Sequence, residues 1–320
     1  MLYNEIAKKR DIFVLYTQMA SASRNADFYN AEAEFKYAFW HNLNLWQKTK
    51  FLFSLFRAEE VIIGGWDNRL NWLLAFLLPR KRNSVVVESS ILESVVTGWK
   101  AWLKKIFLSR ISKAYCSGVS NAELMRKLHF KGEIVITRGV GLYRRQETPQ
   151  FVEKIEPIAK FLYVGRLSPE KNLKFLISVF NELPEYQLTI AGFGPLEKML
   201  KSFAGKNITF AGAIPNAELP DVYKNHDCFV LFSKSESWGL VVEEAMNNGL
   251  PVILSEHIGC AAEIVSDGEN GLIVPLNDKD ALKSAVKKMC DLKNYNYMRK
   301  NVCSRDYAEI ERQQIECYLR

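Results

Sequence analysis

The chain has no cysteine pair at a bridging or metal-binding spacing. Its six cysteines (116, 228, 260, 290, 303 and 317) are scattered, and Cys-x-x-Cys does not occur. This predicts reduced thiols rather than a disulfide framework or a zinc site. The four histidines (41, 129, 226 and 257) show no ligand spacing either and read as structural or surface groups. Long apolar runs are missing: the longest is Trp72 to Pro79, far short of the roughly 20 residues a membrane span needs. The polar opening, Met1 to Arg10, lacks the apolar segment of a secretory signal. Repeats and low-complexity tracts are also lacking. At 48% hydrophobic and 25% charged residues, the composition excludes a wholly disordered chain.

What is present is unevenly distributed. The 320 residues suit two domains better than one. Residues 1–150 hold 23 basic and 13 acidic side chains, a balance of +10, whereas 151–320 hold 20 and 23, a balance of −3. Six of the seven tryptophans (40, 46, 66, 72, 99 and 102) lie in the first half. Two domains with two kinds of partner are expected.

The second half alternates. Strand-like runs at Phe161–Val164, Gln187–Ala191, Ile208–Ala211, Cys228–Phe232, Pro251–Leu254 and Leu272–Val274 are separated by helical patterns over 170–182, 195–204, 217–225, 240–248, 260–266 and 279–291. This predicts a doubly wound parallel sheet with ligands beyond the carboxyl ends of its strands. The first half is again α/β. Its strands are expected at Asp11–Tyr16, Val61–Gly64, Ser84–Val87, Lys113–Cys116 and Glu133–Thr137, and its helices at 2–9, 45–57, 68–78, 91–110 and 120–129. A polar linker is expected from Tyr143 to Pro157. Residues 304–320 read as a helix able to pack back on the first domain.

Several motifs follow strands directly. Gly165-Arg166-Leu167-Ser168-Pro169-Glu170-Lys171 places two cations at an expected helix start, with Ser168 as cap. Cations are unfavourable there unless an anion sits between them. Arg166 and Lys171 could grip a diphosphate, or could belong to a solvated basic loop. Ala191-Gly192-Phe193-Gly194-Pro195 reads as a tight turn, and lacks the third glycine of a dinucleotide site. Glu236 and Glu244 straddle Gly239 at another helix start. They could be surface acids, a hydrolytic pair about 12 Å apart if helical throughout, or grips on either side of a diphosphate. The diphosphate loop in the same half argues against hydrolysis. Asp278-Lys279-Asp280 reads as a helix cap.

These motifs occur in a fixed order: Gly-Arg-Leu-x-x-x-Lys, Ala-Gly-x-Gly-Pro, Phe-x-Gly-x-Ile at 210–214, Glu-x7-Glu, Glu-Ala-Met-x-x-Gly-x-Pro-Val-Ile at 244–253, and Asn-Gly-Leu-Ile-Val-Pro at 270–275. Over about residues 160–290 the chain strongly resembles the nucleotide-sugar domain of retaining GT-B glycosyltransferases, family 4. The resemblance implies two Rossmann-like doubly wound domains facing a cleft: an acceptor-binding domain over 1–150, a nucleotide-sugar domain over 151–303, and a returning helix over 304–320. It implies transfer of a sugar with retention, without a metal or other cofactor, with a UDP-sugar as expected donor. Arg166 and Lys171 would neutralise the diphosphate. Glu236 would contact the sugar and Glu244 the ribose. Amides of Gly239, Leu240 and Val241 would face the phosphates. Gly194 and the backbone of Ile214 would line the donor site, and Trp238 would either lie along the path of sugar or diphosphate or simply pack.

The first half resembles the family only loosely. Its usual first strand and Gly-rich loop are missing or heavily altered, as the chain opens at what looks like the following helix. Where many relatives carry a strand-end histidine, this chain has Glu88, either a polar contact to donor or acceptor or an ordinary strand-end acid. Gly65, Trp66 and Asp67 could line the acceptor side. A saccharide or lipid-linked acceptor is expected, in surface polysaccharide or lipopolysaccharide synthesis. So is peripheral, cytoplasmic docking on an anionic membrane by the basic, tryptophan-rich first domain; nucleic acid is not expected. Over 99, 102, 103, 106 and 107, however, the apolar stripe reads mainly as core-facing. Other expectations are a non-catalytic nucleotide-sugar-binding or partner subunit, and a sugar-nucleotide epimerase of the same fold.

Overall fold

The computed structural model describes residues 2–17, 33–139, 141 and 146–320. Residues 143–145 of the expected linker lie outside the described residues. The chain forms two compact units, residues 1–141 with 312–320, and residues 142–311.

In the first unit, strands β1 (Phe13–Tyr16) and β2 (Lys36–Phe39) form a parallel pair. A second parallel sheet runs in chain order through β3 (Val61–Ile63), β4 (Asn83–Val87), β5 (Lys113–Cys116) and β6 (Glu133–Ile136). Helices α1 (Leu2–Ala7), α2 (Leu45–Leu55), α3 (Arg69–Leu77), α4 (Gly98–Leu108) and α5 (Val119–Lys127) flank these strands. Alternation along the strands divides the core in two. Val85, Val87, Ala114 and Cys116 join a cluster with α3, α4 and α5, against which Leu52 and Leu55 of α2 also pack. Tyr115 joins Ile6, Ile315 and Tyr318 in another cluster, against which Val86 packs. The Tyr115 and Tyr318 rings stack at 4.6 Å. Buried Asn83 ties the helices to the sheet, its Nδ2 donating to the Ala75 and Arg110 carbonyls at 2.9 Å each.

The second unit is a six-stranded parallel sheet among the described residues. It comprises β7 (Lys160–Val164), β8 (Gln187–Ala191), β9 (Ile208–Gly212), β10 (Cys228–Leu231), β11 (Val252–Ser255) and β12 (Gly271–Val274). The order is β12-β11-β10-β7-β8-β9. Helices α6 (Leu173–Phe180), α7 (Glu197–Phe203), α8 (Leu219–Lys224), α9 (Leu240–Asn247), α10 (Ala261–Ile264), α11 (Lys279–Cys290) and α12 (Leu292–Cys303) accompany it, and α13 (Tyr307–Cys317) spans the unit boundary. β10 and β11 are buried at every position, the pattern of central strands covered on both faces. Asp278 caps α11, accepting from the Ala281 amide at 2.8 Å.

Two expectations from the sequence are corrected, and two further elements appear. The helix expected from 170 starts at Leu173, because Pro169–Lys171 forms a 3-10 turn and Asn172 adopts a left-handed conformation (φ 55°). The helix expected from 91 starts at Gly98: the β-branched run Val95-Val96-Thr97 and the positive φ of Gly98 interrupt it. Strand β2 and helix α12 were not expected. The first is only four residues long. The second is Asn-rich, but Asp291 caps it at the Asn294 amide and it buries Tyr295, Met298 and Val302 along one face.

Candidate functional site

The order of the second sheet reverses between β7 and β10. From that boundary β8 and β9 extend one way, β11 and β12 the other. Loops leaving the two strands therefore diverge and open a crevice at the carboxyl edge. Backbone hydrogen bonds fix its walls. Leu167 N donates to Phe193 O at 2.9 Å, and Leu196 N to Leu167 O at 3.1 Å, joining the loops after β7 and β8. Lys234 N donates to Glu170 O at 2.8 Å, joining the loops after β7 and β10. Glu236 N donates to His257 O at 3.2 Å and Gly259 N to Glu236 O at 2.8 Å, adding the loop after β11. These approaches are backbone on backbone. A Cβ on Gly192 would lie 1.9 Å from Gly165 O, and one on Gly194 would lie 2.6 Å from Leu167 O. The Ala-Gly-x-Gly-Pro motif is thus a packing device that lets two loops cross.

Four charged side chains of these loops are paired. Lys171 Nζ forms an ion pair with Glu236 Oε2, the two side chains 12% and 21% exposed. Arg166 is more open and reaches Glu170 Oε1 at 3.3 Å. Ser168 Oγ donates to that same oxygen at 2.5 Å and accepts no capping bond from a helix amide, so the cap expected there does not form. Partial burial works against ionisation of Glu170. The Ser168 hydroxyl, its own backbone amide and the Arg166 and Lys171 charges outweigh that and hold its carboxyl below the usual range. Beneath the loop, the Tyr163 hydroxyl donates to Arg166 O at 2.8 Å. Burial first, then the charges of Glu236 and Glu170, push this phenol well above its ordinary value.

Gly239 caps α9 in a left-handed conformation (φ 101°). The amides of Gly239, Leu240 and Val241 precede the first intrahelical donor, Val242 N, which bonds Gly239 O at 2.9 Å. A helix start of this kind offers donors and a positive dipole end to an anion. Glu244 stands in the second turn, where its Oε2 accepts from the buried Tyr223 hydroxyl at 3.3 Å. Burial pushes its carboxyl up to about 7, with Glu243 adding to the rise and the Tyr223 bond opposing it. Ile214 lies half-buried in the loop after β9.

The structure thus brings Arg166, Lys171, Glu236, Gly194 and the start of α9 into neighbouring loops of one sheet edge. Glu236 precedes the helix, so the separation expected for a fully helical pair does not apply. Of the two readings of Trp238, the ligand path is corrected in favour of packing: the residue is 4% exposed, inside the core, and its Nε1 donates to Glu243 Oε2 at 2.7 Å. The partners Glu170, Tyr163 and Tyr223 were not singled out in the sequence. Only Glu170 carried a signal, four residues beyond Arg166 and next to Lys171.

In the first unit, Glu88 is exposed directly after β4, and Gly65, Trp66 and Asp67 follow β3. Since β3 and β4 pair in parallel, these residues share one carboxyl edge. The turn is fixed by Asn71 Nδ2 donating to Gly65 O at 3.0 Å and Trp72 Nε1 to Trp66 O at 2.8 Å. Trp66 meets Phe107 edge-on at 6.5 Å beneath Lys104. The stripe over 99–107 is also corrected: Phe107 is buried, but Trp99 and Trp102 are 69% and 62% exposed. The core face of α4 instead runs through Ala101, Phe107 and Leu108.

Among the described residues, no group of three His, Cys, Asp or Glu side chains could hold a metal ion, and no helix is long and apolar enough to cross a membrane. Residues 144–304 match the profile of glycosyl transferases group 1. The chain belongs to this family. A stretch of 129 residues is 36% identical to sulfoquinovosyl transferase SQD2 of Arabidopsis thaliana, covering 40% of this chain and 25% of that protein. Another of 138 residues is 35% identical to the O-antigen biosynthesis glycosyltransferase WbnH of Escherichia coli, covering 42% and 39%. This chain therefore spans well under half the length of either relative. The solved structure of Anabaena Alr3699/HepE in complex with UDP-glucose superposes with a TM-score of 0.71 at 15% identity, covering 96% of this chain and 99% of that one. That likeness speaks to fold alone, and the fold is GT-B.

Proposed function

We propose that this chain is a retaining glycosyltransferase. It moves a sugar from a nucleotide-diphospho-sugar, with a UDP-sugar as expected donor, to a saccharide or lipid-linked acceptor in surface polysaccharide or lipopolysaccharide synthesis. The observation that carries the reading is the meeting of Lys171 and Glu236 at the switch point of the second sheet. A cation for the diphosphate and an acid for the sugar hydroxyls stand together, with Arg166 on the same loop and the start of α9 at the end of the next. Alr3699/HepE, which shares the fold, is solved in complex with UDP-glucose, a donor of the class proposed here.

As the bond between the anomeric carbon and the diphosphate breaks, negative charge grows on the departing phosphate. Lys171, Arg166 and the amides of Gly239, Leu240 and Val241 stabilise that charge, which is the largest lever available to such a site. This positive charge does the work of a metal ion, so the proposed reaction needs no metal or other cofactor. Glu236 orients the donor sugar and Glu244 holds the ribose. Gly194 and the backbone of Ile214 complete the donor side. In the first unit, Glu88 and the Gly65-Trp66-Asp67 turn are assigned to the acceptor. The protein is placed in the cytoplasm, peripheral to the inner face of the membrane.

A thermal-shift and turnover screen against UDP-, GDP- and ADP-sugars tests this reading. One nucleotide series is expected to stabilise the chain and to donate its sugar. Stabilisation by none of them sinks it. Stabilisation without transfer to any acceptor points instead to a binding subunit, and conversion of the donor with no acceptor present to an epimerase.

A further inference from the structure

We infer that the outer faces of α2, α3 and α4 form a docking surface for an anionic lipid bilayer. The inference deepens the proposed function and rests on it in one respect, that a membrane-borne acceptor gives such docking a use.

The three helices are anchored to one side of the first unit's larger sheet. Leu52 and Leu55 of α2, Leu74 and Ala75 of α3, and Ala101 and Phe107 of α4 meet in a single cluster with Val85, Val87 and Ala114. Their opposite faces look outward, and those faces are not polar. Trp46 and Phe53 on α2, Leu73 and Phe76 on α3, and Trp99 and Trp102 on α4 are all exposed. Single exposed apolar residues are ordinary, but two on each of three helices that pack on one cluster are not. Phe76 stacks on the half-buried Trp72 at 6.2 Å, which meets the buried Phe107 at 5.3 Å, and Lys104 sits over the neighbouring Trp66 ring at 5.4 Å. The Arg82 guanidinium, just beyond α3, donates to the Phe56 carbonyl at the end of α2.

Charge decides the occupant. The three helices contain Lys48, Lys50, Arg69, Lys100, Lys104 and Lys105 and no acidic residue; Asp67 and Glu93 lie in the loops before α3 and α4. Arg80, Lys81 and Arg82 follow α3 directly. Ammonium groups sit beside exposed indoles, Lys50 at 5.1 Å from the Trp46 ring and Lys100 at 5.8 Å from that of Trp99. Indole at headgroup depth and lysine against lipid phosphate is the arrangement a bilayer surface rewards. Protein interfaces, by contrast, are depleted in lysine.

The test is flotation of the full chain with phosphatidylcholine vesicles, with and without phosphatidylglycerol. Recruitment is expected only by the anionic vesicles, with a blue shift of tryptophan fluorescence and release by salt. The triple variant Lys100→Gln, Lys104→Gln, Lys105→Gln should lower partitioning on the order of a hundredfold, at about fivefold per lysine. Trp99→Ala with Trp102→Ala should lose most of the fluorescence shift, leaving only what Trp46 contributes. Both variants should keep the wild-type melting temperature and its shift on adding UDP-sugar. No binding by the wild-type chain, equal binding to both vesicle types, or binding untouched by either variant overturns the inference. So does a stable dimer that the tryptophan variant dissolves, which would give the face to a second copy. Wild-type chain that floats but ignores every nucleotide sugar would sink the donor reading and leave the membrane surface standing.

Discussion

Lys171 and Glu236 neutralise each other, and that pairing makes their roles separable. Both side chains are mostly buried, so losing one partner leaves the other uncompensated and costs on the order of a few kcal/mol, which a lowered melting temperature would show. The fold itself should stay intact in either case. Lys171→Ala and Glu236→Ala should each lower turnover by about a hundred- to a thousandfold, as loss of a preorganised transition-state contact does. Unchanged turnover in either overturns the site. Nucleotide binding then tells the two apart. In Glu236→Gln the lysine no longer has a competing carboxylate, so free nucleoside diphosphate should bind more tightly while transfer falls. In Lys171→Met both should fall. Titration calorimetry with diphosphate alone reads the difference. Glu244 adds a pH dependence. Its carboxyl is raised to about 7, so a ribose hydroxyl finds an accepting carboxylate only as pH rises through that value. Nucleotide affinity should increase across about pH 7, and Glu244→Gln should flatten the profile. Stability should run the other way. Between the unfolded value near 4.5 and about 7 the folded chain holds a proton that the unfolded chain has lost, so stability declines as pH rises through that window.

At the scale of elements, the site depends on loops that approach backbone to backbone. Gly192 shows this most directly, with φ 137° and no room for a Cβ against Gly165 O. Gly192→Ala should destabilise the chain by about 1–3 kcal/mol from backbone strain alone, with the clash adding to it. It should also weaken nucleotide binding, because the loop carrying Arg166 and Lys171 must move; a wild-type melting temperature would refute the assignment. Much of this unit was legible beforehand. Gln187–Ala191 matches its strand, because β-branched runs bounded by Gly and Pro carry strong local signals. Other parts depend on conformations the sequence leaves open. Asn172 takes a left-handed turn and pushes Lys171 out of the helix. The loop placement of Glu236 is set by bonds to residues in the loop after β11. Trp238 and the α4 tryptophans show the same limit in opposite directions. A tryptophan in a ligand motif was buried by a bond to Glu243, and a helical apolar stripe faced solvent because Ala101 and Phe107 supply the core contact instead.

For the whole molecule, the uneven charge acquires a structural reading. The excess of base belongs to the unit that presents α2, α3 and α4, while the site loops belong to the unit with an excess of acid. The acids of the second unit do not spoil an anion site, because those nearest it are already engaged: Glu170 by Arg166 and Ser168, Glu236 by Lys171, Glu243 by Trp238. Each unit also has its own apolar core, so a ligand held by one should stabilise that one. Bound at a hundred times its dissociation constant, a nucleotide sugar should add about 2.7 kcal/mol to the state that binds it. Hydrogen exchange can locate that gain. Protection should rise in the segments 165–172, 190–196 and 234–244, where neighbouring loops share hydrogen bonds and the start of α9 would, in the proposed function, meet the phosphates. Strands β3 to β6 should exchange as they do in the free chain. Protection that instead rose only around β3 and β4 would move the donor to the edge that carries Glu88 and Asp67, and would remove Lys171 and Glu236 from the chemistry.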